Sequence, residues 1–101
     1  MPLVLYFRPS FQRSLKNLSP AQLKIIGLIL EALEVYYGSQ FNLFEAQKIA
    51  PRFFYKKLES SYYEAGVESH IRVVLTREKD RCIAVVAGNH DDIRRFLANI
   101  G

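Results

Sequence analysis

The feature that most constrains this chain is the run from Arg52 to Leu97. Stretches of strand-like composition follow one another there and then give way to Gly88-Asn89-His90-Asp91-Asp92-Ile93-Arg94-Arg95-Phe96-Leu97. Arg52 to Leu58, the segment ending Ile71-Arg72-Val73-Val74-Leu75-Thr76-Arg77, and Cys82 to Gly88 are rich in β-branched and aromatic residues, the types that suit a pleated, half-buried surface. Lys57, Arg72 and Arg77 stand on these runs, and the expectation is that they converge on one concave basic surface. Fixed positive charge of that kind suits a polyanion and the chemistry of phosphodiesters.

With 101 residues, half of them hydrophobic, residues 1–101 are expected to form one domain around a modest core. The longest apolar stretch, Ile25 to Leu30, is broken by Gly27 and bounded by Glu31, too short to span a bilayer. The N-terminus lacks the basic-then-apolar pattern of a signal peptide, so a cytoplasmic location without membrane association is expected. The formal net charge of +4 is a mild signal, because from Pro51 to Gly101 nine Lys or Arg stand against seven Asp or Glu. Binding to an acidic partner therefore needs a shaped patch, not bulk charge. One cysteine, Cys82, can neither staple the fold nor hold zinc alone, and its apolar run reads as packing.

Along the chain the pattern is β-α-α-β-β-β with a short closing helix. Leu3-Val4-Leu5-Tyr6-Phe7, apolar on both faces and ended by Arg8-Pro9, predicts a strand inside the sheet. Ser10 then caps a short helix with Phe11, Leu15 and Leu18 on one face. Ser19-Pro20-Ala21-Gln22 is a capping box with proline at the first helical position, opening a helix to about Tyr37 with Gly38 placed for a left-handed cap. Leu23, Ile26, Leu30, Leu33 and Tyr37 form its core stripe. Ile25, Leu28, Ile29 and Tyr36 widen that stripe, to be covered by the first helix or by a protein partner. Gly38 to Pro51 reads as a connection in which Leu43, Phe44, Ala46 and Ile49 allow a turn or two of helix. Arg52 to Leu58 and Tyr62 to Arg77 then read as two strands joined around Glu59-Ser60-Ser61, with a bulge or kink at Gly66. Glu78-Lys79-Asp80-Arg81 turns the chain into the strand Cys82 to Ala87. Asn89 and Asp92 start the final helix as reciprocal caps, with Ile93, Phe96, Leu97 and Ile100 at helical spacing. Asp91 and Asp92 in its first turn favour the helix dipole, which accounts for both without a metal.

Alternation in Phe53 to Leu58 puts Phe54, Lys56 and Leu58 on one face and Phe53, Tyr55 and Lys57 on the other. Phe54 and Leu58 make the better core pair, which leaves Tyr55 and Lys57 for the open face, with Lys56 swung out only by an irregularity. Ile71, Val73 and Leu75 form the core face of the next strand, so Arg72 shares a face with Val74 and Thr76. An arginine there is either an anion ligand or the ion-pair partner of Glu64, Glu68 or Glu59. His90, at the end of a strand, is either a surface histidine or a general acid or base. Two histidines, one cysteine and the Asp91-Asp92 pair give no spaced metal-ligand set, and no phosphate loop occurs; no metal and no small-molecule cofactor are expected.

The Phe-Tyr-Lys-Lys-Leu strand, the Ile-Arg-Val-Val-Leu strand and the closing Gly-Asn-His-Asp-Asp resemble the RelE/ParE superfamily of type II toxin-antitoxin toxins, over nearly the whole chain. The resemblance implies a small α+β domain with an antiparallel-rich sheet and a short C-terminal helix. It also implies metal-independent endoribonuclease activity on mRNA at the ribosome, and a cognate antitoxin as partner. Lys57 matches the strand lysine that activates or stabilises the attacking group, Arg72 the arginine that holds the phosphate, and His90 a general acid. Tyr55, Lys56, Arg77, Arg94 and Phe96 would bind substrate. Phe96 stands where some members carry a functional tyrosine, and Arg94 where others place tyrosine. The ParE branch of the superfamily instead inhibits DNA gyrase, and an inactive relative would only bind its antitoxin; keeping Lys57, Arg72 and His90 favours the ribonuclease.

Overall fold

The computed structural model describes residues 4–58, 61–67 and 70–100. The expectations placed on Leu3, Glu59, Ser60 and Glu68, and on the Ile100 side chain, fall outside them. The elements are β1 (Val4–Phe7), α1 (Pro9–Leu15), α2 (Pro20–Gly38), α3 (Leu43–Ile49), β2 (Phe53–Lys57), β3 (Tyr62–Val67), β4 (Arg72–Glu78), β5 (Arg81–Gly88) and α4 (His90–Ile100). They build an α+β domain whose sheet has the order β1-β5-β4-β3-β2. The β1–β5 pair is parallel and the others are antiparallel.

Two apolar layers sit on the two sides of this sheet. The main core lies under α2 and α3 and gathers Ile29, Leu33, Phe53, Ala65, Val73, Leu75 and Cys82, all essentially inaccessible. A smaller layer lies under α4, where Val74, Ile83, Val85, Val86 and Ile93 meet Leu58, Phe96 and Leu97. Burial on both faces explains why β4 and β5 read as near-continuous apolar runs. Among the described residues, no helix is long and apolar enough to cross a membrane.

Several local expectations hold. Ser19 Oγ accepts from the Gln22 amide, and Gln22 Oε1 accepts from the Ser19 amide. Asn89 and Asp92 exchange the same pair of bonds at 2.9 and 3.0 Å, satisfying donors that a helix start leaves orphaned. Others differ. What reads as one strand from Tyr62 to Arg77 is two, β3 and β4, so the sheet gains a strand. Gly66 is in regular register between Phe54 and Arg72, and the sheet irregularity lies between Val74 and Leu75, where Val85 is the extra residue on β5. Gly38 stays helical; the left-handed positions that follow α2 are Gln40 (φ 60°) and Phe41 (φ 65°). A bulky residue adopts that region only when its surroundings hold it, and here the Phe41 ring packs edge-on against Tyr36 and Tyr37.

β1 is an edge strand, not an interior one, and Val4, Tyr6 and Phe7 remain substantially exposed. Its pairing with β5 ends at Phe7 opposite Ala84, and Pro9, fixed in φ and lacking an amide proton, turns the chain into α1. Beyond that point two hydroxyls substitute for a strand. Ser10 Oγ donates to the Val85 carbonyl at 2.6 Å, and Ser14 Oγ accepts from the Ala87 amide at 2.9 Å. Ser10 is thus not the cap of α1, which Arg8 precedes, but a pin onto the bulged part of β5. Because α1 packs on β5, it is α3 and the sheet that cover the wide stripe of α2, leaving Ile29 fully buried and Leu28 at the surface.

Candidate nucleic-acid interface

The α4 side of the sheet is only half roofed, because α4 packs over β4 and β5 and leaves the faces of β2 and β3 open beside it. α4 is the wall of the resulting groove. Its start is fixed by the Asn89–Asp92 box, which needs Gly88: a Cβ there would lie 2.7 Å from both Cβ and Oδ2 of Asp92. Asp92 also holds Arg95 at 2.9 Å. His90, exposed in the first turn, meets Arg94 one turn on, with 2.9 Å between Nη2 and Nε2. A guanidinium only donates, so in this arrangement the imidazole accepts at Nε2 and carries its proton on Nδ1. Further along, Arg94, Leu97 and Ala98 line an open hollow of about 620 Å³ with Lys57 and Leu58 of the β2 end.

The floor of the groove is two neighbouring cross-strand rows, Lys56–Glu64–Val74 and Phe54–Gly66–Arg72. Glu64, only 6% exposed, lies between Lys56 at 3.4 Å and Arg72 at 4.0 Å. The Arg72 guanidinium lies 4.9 Å from the centre of the Phe54 ring and Lys56 Nζ 5.7 Å from it. Gly66 makes this possible, since it stands between Phe54 and Arg72 in register and a Cβ would meet both side chains. Lys56, Arg72 and Arg94 thus border the groove against one carboxylate among the described residues, Glu64, with His90 on the wall, while Lys57, opposite Tyr63 in register, lines the hollow from the end of β2. Lys57 makes no ion pair or hydrogen bond among the described residues. An open channel with fixed cations, one of them stacked on an aromatic ring, can hold a phosphodiester strand.

No protein-family model and no curated protein sequence matches the chain. Solved structures do match it. A chain of the RelB-RelE antitoxin-toxin complex from Methanococcus jannaschii superposes with a TM-score of 0.64, at 22% identity, over 90% of this chain and 96% of its own. A conserved hypothetical protein from Helicobacter pylori gives 0.55 at 20% identity, over 88% and 96% of the two chains. A copper-bound mutant toxin from the same organism gives 0.54 at 19%, over 90% and 98%. The chain has the RelE-type toxin fold.

Within that fold the expected site residues divide between the two faces. Lys56, Arg72, His90 and Arg94 border the α4 groove, and Lys57, which alternation and its pairing with Tyr63 assign to the other face, joins the hollow's lining at the strand end. Tyr55 and Arg77 do not: they lie on the opposite face, under α2 and its C-terminal turn. Convergence of Lys57, Arg72 and Arg77 on one surface therefore fails, because Arg72 and Arg77 are an odd number of residues apart on one regular strand and point to opposite sides. The face assignment of β2 is likewise reversed. Phe53 is the buried core residue, Tyr55 half-buried beside it, while Phe54 and Lys56 line the open floor. α2 contributes Tyr36 and Tyr37, whose rings pack on Tyr55 at 4.8 and 5.7 Å, and this aromatic layer, absent from an alternation argument on β2 alone, decides the side. Phe96, half-buried, packs against the α4 layer.

Tyr55 is unsuited to proton transfer near neutrality. Burial pushes its phenol well above the ordinary tyrosine range, and its oxygen accepts from Tyr37 at 2.9 Å. The thiol of Cys82 donates to Tyr37 in turn, and burial raises it to about 11, opposed by that hydrogen bond and by the charge of Arg77. Sequence reading did not single out Gly66 and Phe54 as parts of the site. The only signal for either was the glycine itself, inside an otherwise well-formed strand.

Proposed function

We propose that this chain is the toxin of a type II toxin-antitoxin pair and that it cleaves single-stranded mRNA, bound at the ribosome, in the groove between α4 and the β2–β3 face. The observation that carries the reading is the gathering of Lys57, Arg72, Arg94 and His90 around one groove of a RelE-type fold. Arg72, braced by Glu64 and Phe54, holds the scissile phosphate and offsets the charge that builds on it. Lys57, whose side chain has no ion-pair partner among the described residues, stabilises the 2′-oxygen as it attacks and its proton passes to water. His90, once protonated, gives a proton to the departing 5′-oxygen, which requires Arg94 to leave Nε2 and turn its donors to the phosphate. Arg94 thus brings charge where a phenol would bring a proton, and Phe96 takes no part in proton transfer. A cognate antitoxin would cover the groove and silence it.

Loss of one such donor costs roughly 10²–10³-fold in rate. Single-turnover cleavage of ribosome-bound mRNA by the parent, Arg72→Ala and Lys57→Ala, with circular dichroism as the fold control, tests the assignment. Intact transcripts during growth arrest, or variants that cut as fast as the parent, would refute it. Inhibition of gyrase supercoiling by the parent would replace it with the ParE-type reading.

A further inference from the structure

The α2 side carries a second constellation that the groove does not use. The Arg77 guanidinium lies 4.6 Å from the centre of the Phe41 ring and 5.3 Å from that of Tyr63. Tyr63 is itself stacked on Tyr55 at 5.3 Å, and Phe41 is held by two consecutive left-handed residues and by Tyr36 and Tyr37. Arg77 is thus clamped between rings, while no carboxylate and no hydrogen-bonding oxygen of the described residues meets its N–H edges. Beside it the chain exposes large apolar groups in a short stretch: Phe41 is 41% exposed, Leu43 42% and Phe44 81%. The neighbouring charges of α3, Glu45 and Lys48, neutralise each other at 2.8 Å.

We propose that this surface docks a segment of a partner protein in which one Asp or Glu side chain is flanked by large apolar residues. The carboxylate would take the fork of Arg77, a bidentate geometry for which a pre-oriented guanidinium suits better than an ammonium. The apolar flanks would cover Phe41, Leu43 and Phe44, exposure of a kind that marks interaction sites. RNA fits less well, because its affinity comes from many phosphate contacts and Arg77 is the one cation of the described residues that lies against the Phe41 and Tyr63 rings. The inference stands whether or not the groove is catalytic.

The test is panning of the full-length protein against a random peptide library, followed by titration of recovered peptides on the parent, Phe44→Ser and Arg77→Gln, each checked for an unchanged fold. The expected peptides carry an acidic residue between Leu, Ile or Phe. They bind both variants about tenfold or more weakly, the loss typical of a central anchor. Arg77→Lys should recover little of that loss. Because Phe44 is fully outside the core, Phe44→Ser keeps the test meaningful even where Arg77→Gln fails to fold, and it should cut RNA like the parent. Recovered peptides without an acidic residue, or binding that neither variant weakens, would overturn the proposal. So would oligouridine binding that the same variants abolish, or a parent that sediments as a dimer while Phe44→Ser is monomeric.

Discussion

Gly66→Ala is expected to unfold the floor of the groove, and the structure sets the size of the effect. A methyl carbon at position 66 would stand 2.7 Å from Arg72 Cδ, 2.7 Å from Phe54 Cε1 and 2.8 Å from Phe54 Cζ. Carbon atoms rest at about 3.5–4.0 Å, so the ring and the arginine stem must each retreat by roughly 1 Å. Overpacking of that kind costs about 1–3 kcal/mol, offset by the ~0.5–1 kcal/mol gained when alanine replaces glycine in a strand. The net loss is ~1–2 kcal/mol, a fall in Tm of roughly 5–15 °C for a domain of this length. Movement of Arg72 also breaks its stack on Phe54 and its contact with Glu64, so cleavage should fall about 10²-fold, the cost of one lost phosphate donor. Gly27→Ala is the internal control. Gly27 is an exposed residue of α2 with nothing within 4 Å of its missing Cβ, and the same substitution should stabilise by ~1 kcal/mol and leave cleavage alone. Thermal melts with single-turnover cleavage read both variants. A Gly66→Ala protein that melts at or above the parent would refute the packing argument, and one that cuts at the parent rate would refute the role of the Arg72 stack.

Three further outcomes follow from the same geometry. Asn89→Ala removes the acceptor for the Asp92 amide and should lower stability by ~1 kcal/mol, read by urea denaturation; an unchanged midpoint would show that α4 does not depend on its cap. Ser14→Ala strips the Ala87 amide of its partner beside the β5 bulge; a loss of ~1–3 kcal/mol is expected, with faster amide exchange at Ala87, and no change in either would mean that water replaces the hydroxyl. Stability should fall as pH rises from about 9 to about 11, because the unfolded Cys82 thiol ionises near its ordinary value while the folded one, raised by burial, holds its proton. Over that range the folded state binds more protons than the unfolded state, so the slope is negative. Cys82→Ser should reduce the slope there, and a parent curve flat from pH 9 to 11 would contradict the burial.

Much of this fold could be read from residues whose demands are local. The Ser19–Gln22 and Asn89–Asp92 boxes need only their own backbone, and both formed where the sequence placed them. The Lys79-Asp80 turn did likewise, with Lys79 taking the left-handed position. Errors arose where a distant element decided the outcome. Phe53 and Phe54 are equally apolar, and only the arrival of Tyr36, Tyr37 and α3 made one the core residue and the other the floor. Val4 to Phe7 looks interior because its side chains are apolar on both faces, yet the sheet ends there and α1 takes over its hydrogen bonding. At the proposed site, Lys57, Arg72, His90 and Arg94 could be nominated from residue type alone. The side of the sheet on which Arg77 fell depended on counting from Arg72 along an unbroken strand. Glu64 was foreseen as one possible partner of Arg72; that it would be a buried post shared with Lys56 required the register of three strands.

The parallel pairing of β1 with β5 has a bearing on the order in which the molecule comes into being. Val4 lies opposite Arg81 and Phe7 opposite Ala84, so β1 on leaving a ribosome has no place to dock until residues almost 80 positions later have followed it. Pairings so far apart in sequence close slowly. Until then the serines of α1 have no β5 backbone to pin, and α4, which continues directly from β5, has no layer to lie on. A half-made chain therefore has neither wall nor floor complete at the groove. If the groove does cut ribosome-bound message, the ribosome that translates this protein is spared by topology until translation has passed β5.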